Sequence, residues 1–266
     1  MLSAAPLHVS RIGEGPDLVL LHGWGMHSGI WHDLIGPLQQ HFRLHRVDLP
    51  GHGQSQQADG AFDLGRLAEM IWQSVAPDLQ GPAVWLGWSL GGMAALQIAL
   101  DHPEQTRALV LVASTARFSQ AADWPHAMST SLLDTFAEQL AEDYQPTLQR
   151  FLALQVKGSD DARAALRTLR QRVLDNAGVN VSALQSGLAI LKQADLRQRL
   201  HEIRHLPLLM VFGQYDMLVP PPTAKALAEY FDDSLQVVIN GAGHAPFVSH
   251  PQQFIQHVMT YLHATK

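Results

Sequence analysis

The pentapeptide Gly87-Trp88-Ser89-Leu90-Gly91 stands where an apolar run gives way to a helical pattern. A G-x-S-x-G sequence at a strand-to-helix corner forces the serine into a strained turn and lifts its hydroxyl above the sheet. The helix N-terminus behind it favours negative charge. A serine hydroxyl becomes a nucleophile only when a base takes its proton. His244, in Gly241-Ala242-Gly243-His244, can serve as that base, because an imidazole titrates near neutrality. Asp216 closes the late run Gly213-Gln214-Tyr215-Asp216 and can hold the imidazole in its working tautomer. The chain order is serine, aspartate, histidine. A tetrahedral intermediate further needs two backbone N–H donors. Leu90, after the serine, supplies one, and Trp24 in His22-Gly23-Trp24-Gly25 supplies the other.

The pentapeptide alone is weak evidence, since it arises by accident in roughly one chain in ten of this length. Its position and its three companions carry the reading. Other polar residues fit less well. His250 is the fallback base, while His22 and His52 are expected to shape loops. Asp48, in Val47-Asp48-Leu49-Pro50-Gly51, ends an earlier run and precedes the serine, so it reads as a structural turn residue. His41 and His45 lack the further ligands a metal would need, and no metal site is expected. No phosphate loop or dinucleotide fingerprint occurs, and no cofactor is expected.

The elements that must position these groups are visible as apolar runs. Asp17 to Gly23, Phe42 to Gly51, Pro82 to Ser89 and Arg107 to Ser114 read as strands, with a helix over Leu90 to Asp101. Runs so apolar predict a parallel sheet covered on both faces, an α/β fold. From about Thr115 to Leu196 the pattern turns helical, with four helices in sequence. Strands resume over Leu206 to Asp216 and Ser234 to His244, and a helix over about Pro251 to His263 closes the chain. The expected organisation is a core of 1–114 and 196–266 with a helical cap of 115–195 inserted.

The chain has 266 residues, 47% of them hydrophobic, which suits one core domain with an insert. It contains no cysteine, so disulfides and thiolate metal sites are excluded. The start, Met1 to Ser10, lacks a basic and then apolar leader, and no apolar run approaches the roughly 20 residues of a membrane span. A cytoplasmic protein without membrane contact is expected. The net charge of −6 argues against nucleic-acid binding. Arg150 to Arg204 nevertheless carries ten Lys/Arg against five Asp/Glu, a basic island in an acidic chain. Within it Arg163, Arg167 and Arg170 are spaced to form one stripe on a helix, opposite much of the apolar face made by Ala162, Ala165, Leu166, Leu169 and Val173. Such a stripe suggests an acidic partner, or else a solvated face with pairs inside the helix.

The segments HGWG, DLPGHGQS, GWSLGG, GQYD and GAGHAPF, in this order, resemble the α/β-hydrolase fold. VLLHGWG, WLGWSLGG, RFLALQ and HAPFVSHP are similar to one branch of it, the bacterial biotin-pathway carboxylesterases (BioH). The resemblance covers nearly the whole chain. It implies a mostly parallel central sheet flanked by helices with a helical cap. It also implies hydrolysis of the methyl ester of pimeloyl-[acyl-carrier protein], releasing methanol in biotin biosynthesis. Ser89 would be nucleophile, Asp216 orienting acid and His244 base. Trp24 and Leu90 would line the carbonyl site. The stretch Phe151, Leu152, Ala153, Leu154 and Gln155 would contact the acyl chain. Cap arginines at Arg150, Arg163 and Arg167 would dock the acidic carrier protein. Pro146 stands where the family pattern has another arginine, and Arg170 is placed to compensate. A monomer is expected. Two other readings share these residues: a general short-chain carboxylesterase or other serine hydrolase, and a slow-turnover ligand receptor.

Overall fold

A computed structural model describes residues 6–56, 60–174 and 180–265. Seven strands form one sheet in the order β1-β3-β2-β4-β5-β6-β7. They are β1 (Val9–Ile12), β2 (Asp17–Leu21), β3 (Arg43–Val47), β4 (Ala83–Trp88), β5 (Thr106–Val112), β6 (Leu208–Gly213) and β7 (Ser234–Ile239). All neighbours run parallel except β1, which pairs antiparallel with β3. Every residue of β2, β4 and β6 is buried. Successive side chains point to opposite faces, so complete burial requires helices on both sides. Those helices are α1 (His32–Leu38), α2 (Leu64–Val75), α3 (Leu90–Asp101), α8 (Pro222–Ala228), α9 (Pro246–Ser249) and α10 (Pro251–Ala264). Helix α2 packs on α3, and α1 on α10.

The predicted strands and the two predicted core helices are all present. The strand β1 has no counterpart in the sequence reading. Its residues Val-Ser-Arg-Ile are half-buried or exposed, so no apolar run marks it. Helix α3 is buried from Leu90 to Leu100, nearly all round, as its run of Ala, Leu, Met and Ile requires.

Strand order reverses at β2, which has β3 on one side and β4 on the other. The loops leaving β2 and β4 therefore open side by side at the carboxyl edge, the place where α/β sheets form crevices.

Between β5 and β6 lie α4 (Thr130–Glu142), α5 (Tyr144–Gln155), α6 (Ala162–Leu174) and α7 (Val181–Gln193). Ser129, Asp143 and Asn180 cap three of them by accepting backbone N–H bonds. Helix α4 packs on α5 and α7, α5 on α6, and α6 on α9. Along α6, Ala165 and Leu169 are buried and Arg163, Arg167 and Arg170 are exposed. The predicted continuation of this helix through Asp175 to Gly178 lies outside the described residues, as do Met1 to Ala5. No helix among the described residues is long and apolar enough to cross a membrane.

Candidate active site

Ser89 links β4 to α3 with φ 55° and ψ −119°, a region that non-glycine residues rarely occupy. Its neighbours hold it there. The Ser89 N–H donates to Val112 O at 3.0 Å, and its carbonyl accepts from Ser114 Oγ at 2.7 Å and Gly92 N–H at 2.9 Å. The glycines around it make room for close backbone contacts. A Cβ on Gly91 would sit 2.3 Å from Leu21 O, and one on Gly87 would sit 2.3 Å from Gly91 O.

His244 and Asp216 are buried and paired. The imidazole Nδ1 lies 2.8 Å from Asp216 Oδ2 and 3.0 Å from Oδ1. Asp216 Oδ1 also accepts the N–H groups of Leu218 and Val219, at 2.8 and 2.9 Å. These bonds orient the carboxylate, and the pairing assigns the His244 proton to Nδ1. The remaining ring nitrogen, Nε2, is buried without a hydrogen-bond partner among the described residues. The indole N–H of Trp88, next to Ser89, donates to the His244 carbonyl at 2.9 Å. Thus the strand carrying the serine also holds the histidine loop.

The loop after β2 lies against the same corner. A Cβ on Gly23 would come within 3.3 Å of Ser89 Cβ. The next N–H, that of Trp24, and the N–H of Leu90 both lack an acceptor among the described residues. Such a pair of free donors beside a strained serine is what an oxyanion requires.

A model of the family described as "alpha/beta hydrolase fold" matches residues 16–251. The chain belongs to the α/β-hydrolase fold family. It is 45% identical over 252 residues to the pimeloyl-[acyl-carrier protein] methyl ester esterase of Nitrosomonas europaea, covering 94% of this chain and 97% of that one. It is 46% identical over 256 residues to the protein of that name from Yersinia enterocolitica, covering 96% of each. Among solved structures it resembles the esterase EaEST from Exiguobacterium antarcticum, with a TM-score of 0.86 at 23% identity, covering 96% of this chain and 94% of that one.

In this α/β-hydrolase, α5 and α7 lie against Trp24 of the loop after β2. Trp24 packs edge-on against Phe151, with centroids 4.6 Å apart, and its indole N–H donates to Leu184 O at 2.8 Å. Gly187 lacks a side chain where a Cβ would be 2.7 Å from the Trp24 ring. The five residues from Phe151 to Gln155 divide. Phe151, Leu152 and Gln155 are buried, and Gln155 keeps both amide atoms unpaired among the described residues. Ala153 and Leu154 instead line an outer cleft of about 620 Å³ between α4, α5 and α6. Its floor is apolar, with Phe136, Leu154 and Leu166, and Arg150, Lys157 and Arg163 stand on its walls.

The basic island is neutralised from Arg172 onward, where Lys192 also pairs with Asp134. Arg197 pairs with Asp195 and Asp123, Arg199 with Asp101 and Glu202, and Arg204 with Asp232. Arg172 pairs with Asp33. Arg150 donates to the Gln139 amide at 3.0 Å. Arg163, Arg167 and Arg170 make no ion pair among the described residues.

Asp48 and the two nearby histidines are structural. Asp48 accepts from Ser28 N–H at 2.6 Å and Gln54 N–H at 3.0 Å. Burial would raise its pKa, but His22 and these N–H groups bring it below the usual carboxylate value. Burial, reinforced by His52, pushes His22 down to about 3, and burial takes His52 to about 4. Both are neutral near pH 7. His22 accepts from Leu49 N–H through Nε2 and lies 2.8 Å from Gly23 O through Nδ1. It therefore braces the peptide whose N–H belongs to Trp24. The HG dipeptide marks this residue in the sequence, but its two partners come from the folded loops. His250 instead pairs locally, with Nδ1 2.9 Å from Ser249 Oγ.

Proposed function

We propose that this protein is a serine carboxylesterase that hydrolyses the methyl ester of pimeloyl-[acyl-carrier protein]. The products are pimeloyl-[acyl-carrier protein] and methanol. The observation that carries the chemistry is the strained Ser89 next to Trp88, whose indole N–H holds the loop of the buried His244–Asp216 pair. Relatives of that name at 45% and 46% identity, over nearly full length, support the substrate.

In the proposed mechanism His244 Nε2 takes the Ser89 proton as Oγ attacks the ester carbonyl. The N–H groups of Trp24 and Leu90 hold the oxyanion. The intermediate collapses, the C–O bond to the methoxy group breaks, and methanol leaves with the proton from His244. Water then attacks the acyl-enzyme, His244 again taking and returning one proton. Trp24 and Phe151 would pack on the methylene chain, each buried CH₂ contributing about 0.8 kcal/mol. The carrier arm would follow the apolar cleft past Ala153 and Leu154. The acidic carrier would dock on Arg150, Arg163, Arg167 and Arg170. Residues 115–195 act in this reading as a cap on a core of 1–114 and 196–266, in a cytoplasmic monomer.

The test compares kcat/KM for the carrier-linked methyl ester with that for p-nitrophenyl butyrate. A strong preference for the carrier-linked ester is expected. Equal or better use of the small ester would leave a general short-chain carboxylesterase.

A further inference from the structure

The loop that bears His244 is held from outside by the turn between α5 and α6. The Gly243 N–H donates to Ser159 Oγ at 2.9 Å, across 84 residues of chain. The Ala245 N–H donates to Gln155 O at 3.2 Å, and the Asp160 N–H donates to Gly241 O at 2.9 Å. These three bonds bracket the histidine on both sides. Gly243 is enclosed between two walls. A Cβ there would lie 2.9 Å from Gln155 O and 3.0 Å from Ser159 Oγ, while a Cβ on Gly213, at the end of β6, would lie 1.9 Å from Gly243 O. The turn is itself fixed. Gly158 adopts φ +84°, with Tyr215 packed against the position a Cβ would take. Tyr215 precedes Asp216, so one short turn touches the chain on either side of the His244–Asp216 pair.

We infer that Ser159 is a positioning residue for the base, and that the α5–α6 turn clamps His244 against Asp216. This rests on the reading of His244 as the base. Ser159 is buried, and it is the only side chain among these three contacts. Removing its hydroxyl leaves a buried N–H without a partner immediately before His244. The loop then relieves that loss by shifting, which moves Nε2 away from the serine hydroxyl. Misplacement on the scale of an ångström costs catalysis heavily, without affecting how the acyl chain is held. Threonine keeps the hydroxyl and should keep the clamp.

The test uses Ser159→Ala and Ser159→Thr in the full chain, with p-nitrophenyl butyrate as substrate. Thermal melts establish that both variants fold. Ser159→Ala is expected to lower kcat by about tenfold to a hundredfold with KM within about twofold. Its low-field imidazole N–H proton resonance should shift or broaden. Ser159→Thr should restore both. Unchanged kcat in Ser159→Ala, or an equal loss in Ser159→Thr, overturns the positioning role. His244→Ala is run alongside. Full activity in that variant would overturn the base assignment itself, whereas its loss beside a wild-type-like Ser159→Ala removes only the clamp.

Discussion

At the scale of single residues, the serine corner separates chemistry from folding. Ser89 Oγ makes no hydrogen bond among the described residues, whereas its N–H and carbonyl are held by Val112, Ser114 and Gly92. Ser89→Ala is therefore expected to lower kcat/KM by several orders of magnitude while the melting temperature changes little. More than a few per cent of residual activity would remove Ser89 from the role of nucleophile. The buried histidines make a different prediction. In the folded chain His22 and His52 stay neutral down to about pH 3 and about pH 4. In the unfolded chain both protonate near 6.5. Between those values the unfolded state binds more protons, so stability rises with pH and falls on acidification. Urea unfolding should give a lower free energy at about pH 5 than at about pH 7, with a limiting slope of about 1.4 kcal/mol per pH unit for each histidine. His52→Gln should flatten the slope by one proton, and equal stability at the two pH values would count against this account.

At the scale of elements, the proposed chemistry and the proposed docking surface occupy different helices. Ser89 and Leu90 sit at the start of α3, whereas Arg163 and Arg167 project from α6. Reversing both arginines to glutamate should reduce kcat/KM on a carrier-linked ester by about tenfold to a hundredfold and leave a small soluble ester within about twofold. An equal loss on both substrates would reduce α6 to a structural helix. The same division decides what could be read from sequence. Strands β2, β4 and β6 were legible because parallel strands buried on both faces are continuous apolar runs. Helix α3 was legible because a strand-ending serine between glycines marks its start. β1 was not, since a short edge strand with one partner has no apolar pattern to show. Asp216 and His244 could be proposed from chain order together with their places at the end of a late strand and in a glycine loop before the last helix, but Ser159 could not. Its partner is 84 residues away, and nothing local distinguishes that serine from any other in a helix-connecting turn. The free stripe on α6 was visible in spacing. That Arg197, Arg199 and Arg204 would be spent on internal pairs was not, because, besides the neighbouring Asp195 and Glu202, the acids Asp123, Asp101 and Asp232 come from distant segments.

For the molecule as a whole, charge and architecture are aligned. The two passages between the core and the helical insert are tied together: Leu196 N–H donates to Ala116 O at 3.0 Å, and Arg117 pairs with Asp195 at 2.7 Å. Asp195 also accepts from Arg197, which stacks its guanidinium over Trp124. Burial opposes ionisation of Asp195, but these arginines prevail and hold it down to about 2, so the tie persists at any pH where the enzyme would work. The insert is thus tied at its base. In the proposed function an acidic carrier would meet a protein of like net sign, −6, through the arginines of α6 that are unpaired among the described residues. Net charge and patch charge then predict opposite effects of salt. If overall repulsion governed encounter, screening would speed the reaction of the carrier-linked ester. If the α6 stripe governs it, screening should slow it, by several-fold between about 20 and about 200 mM salt, because the Debye length shrinks below the span of the patch. Steady-state kcat/KM measured across that range, with a small uncharged ester as control, is expected to fall for the carrier-linked substrate alone. The Arg163→Glu, Arg167→Glu variant should lose the fall or reverse its sign, since only the repulsion of the remaining surface is then left to screen.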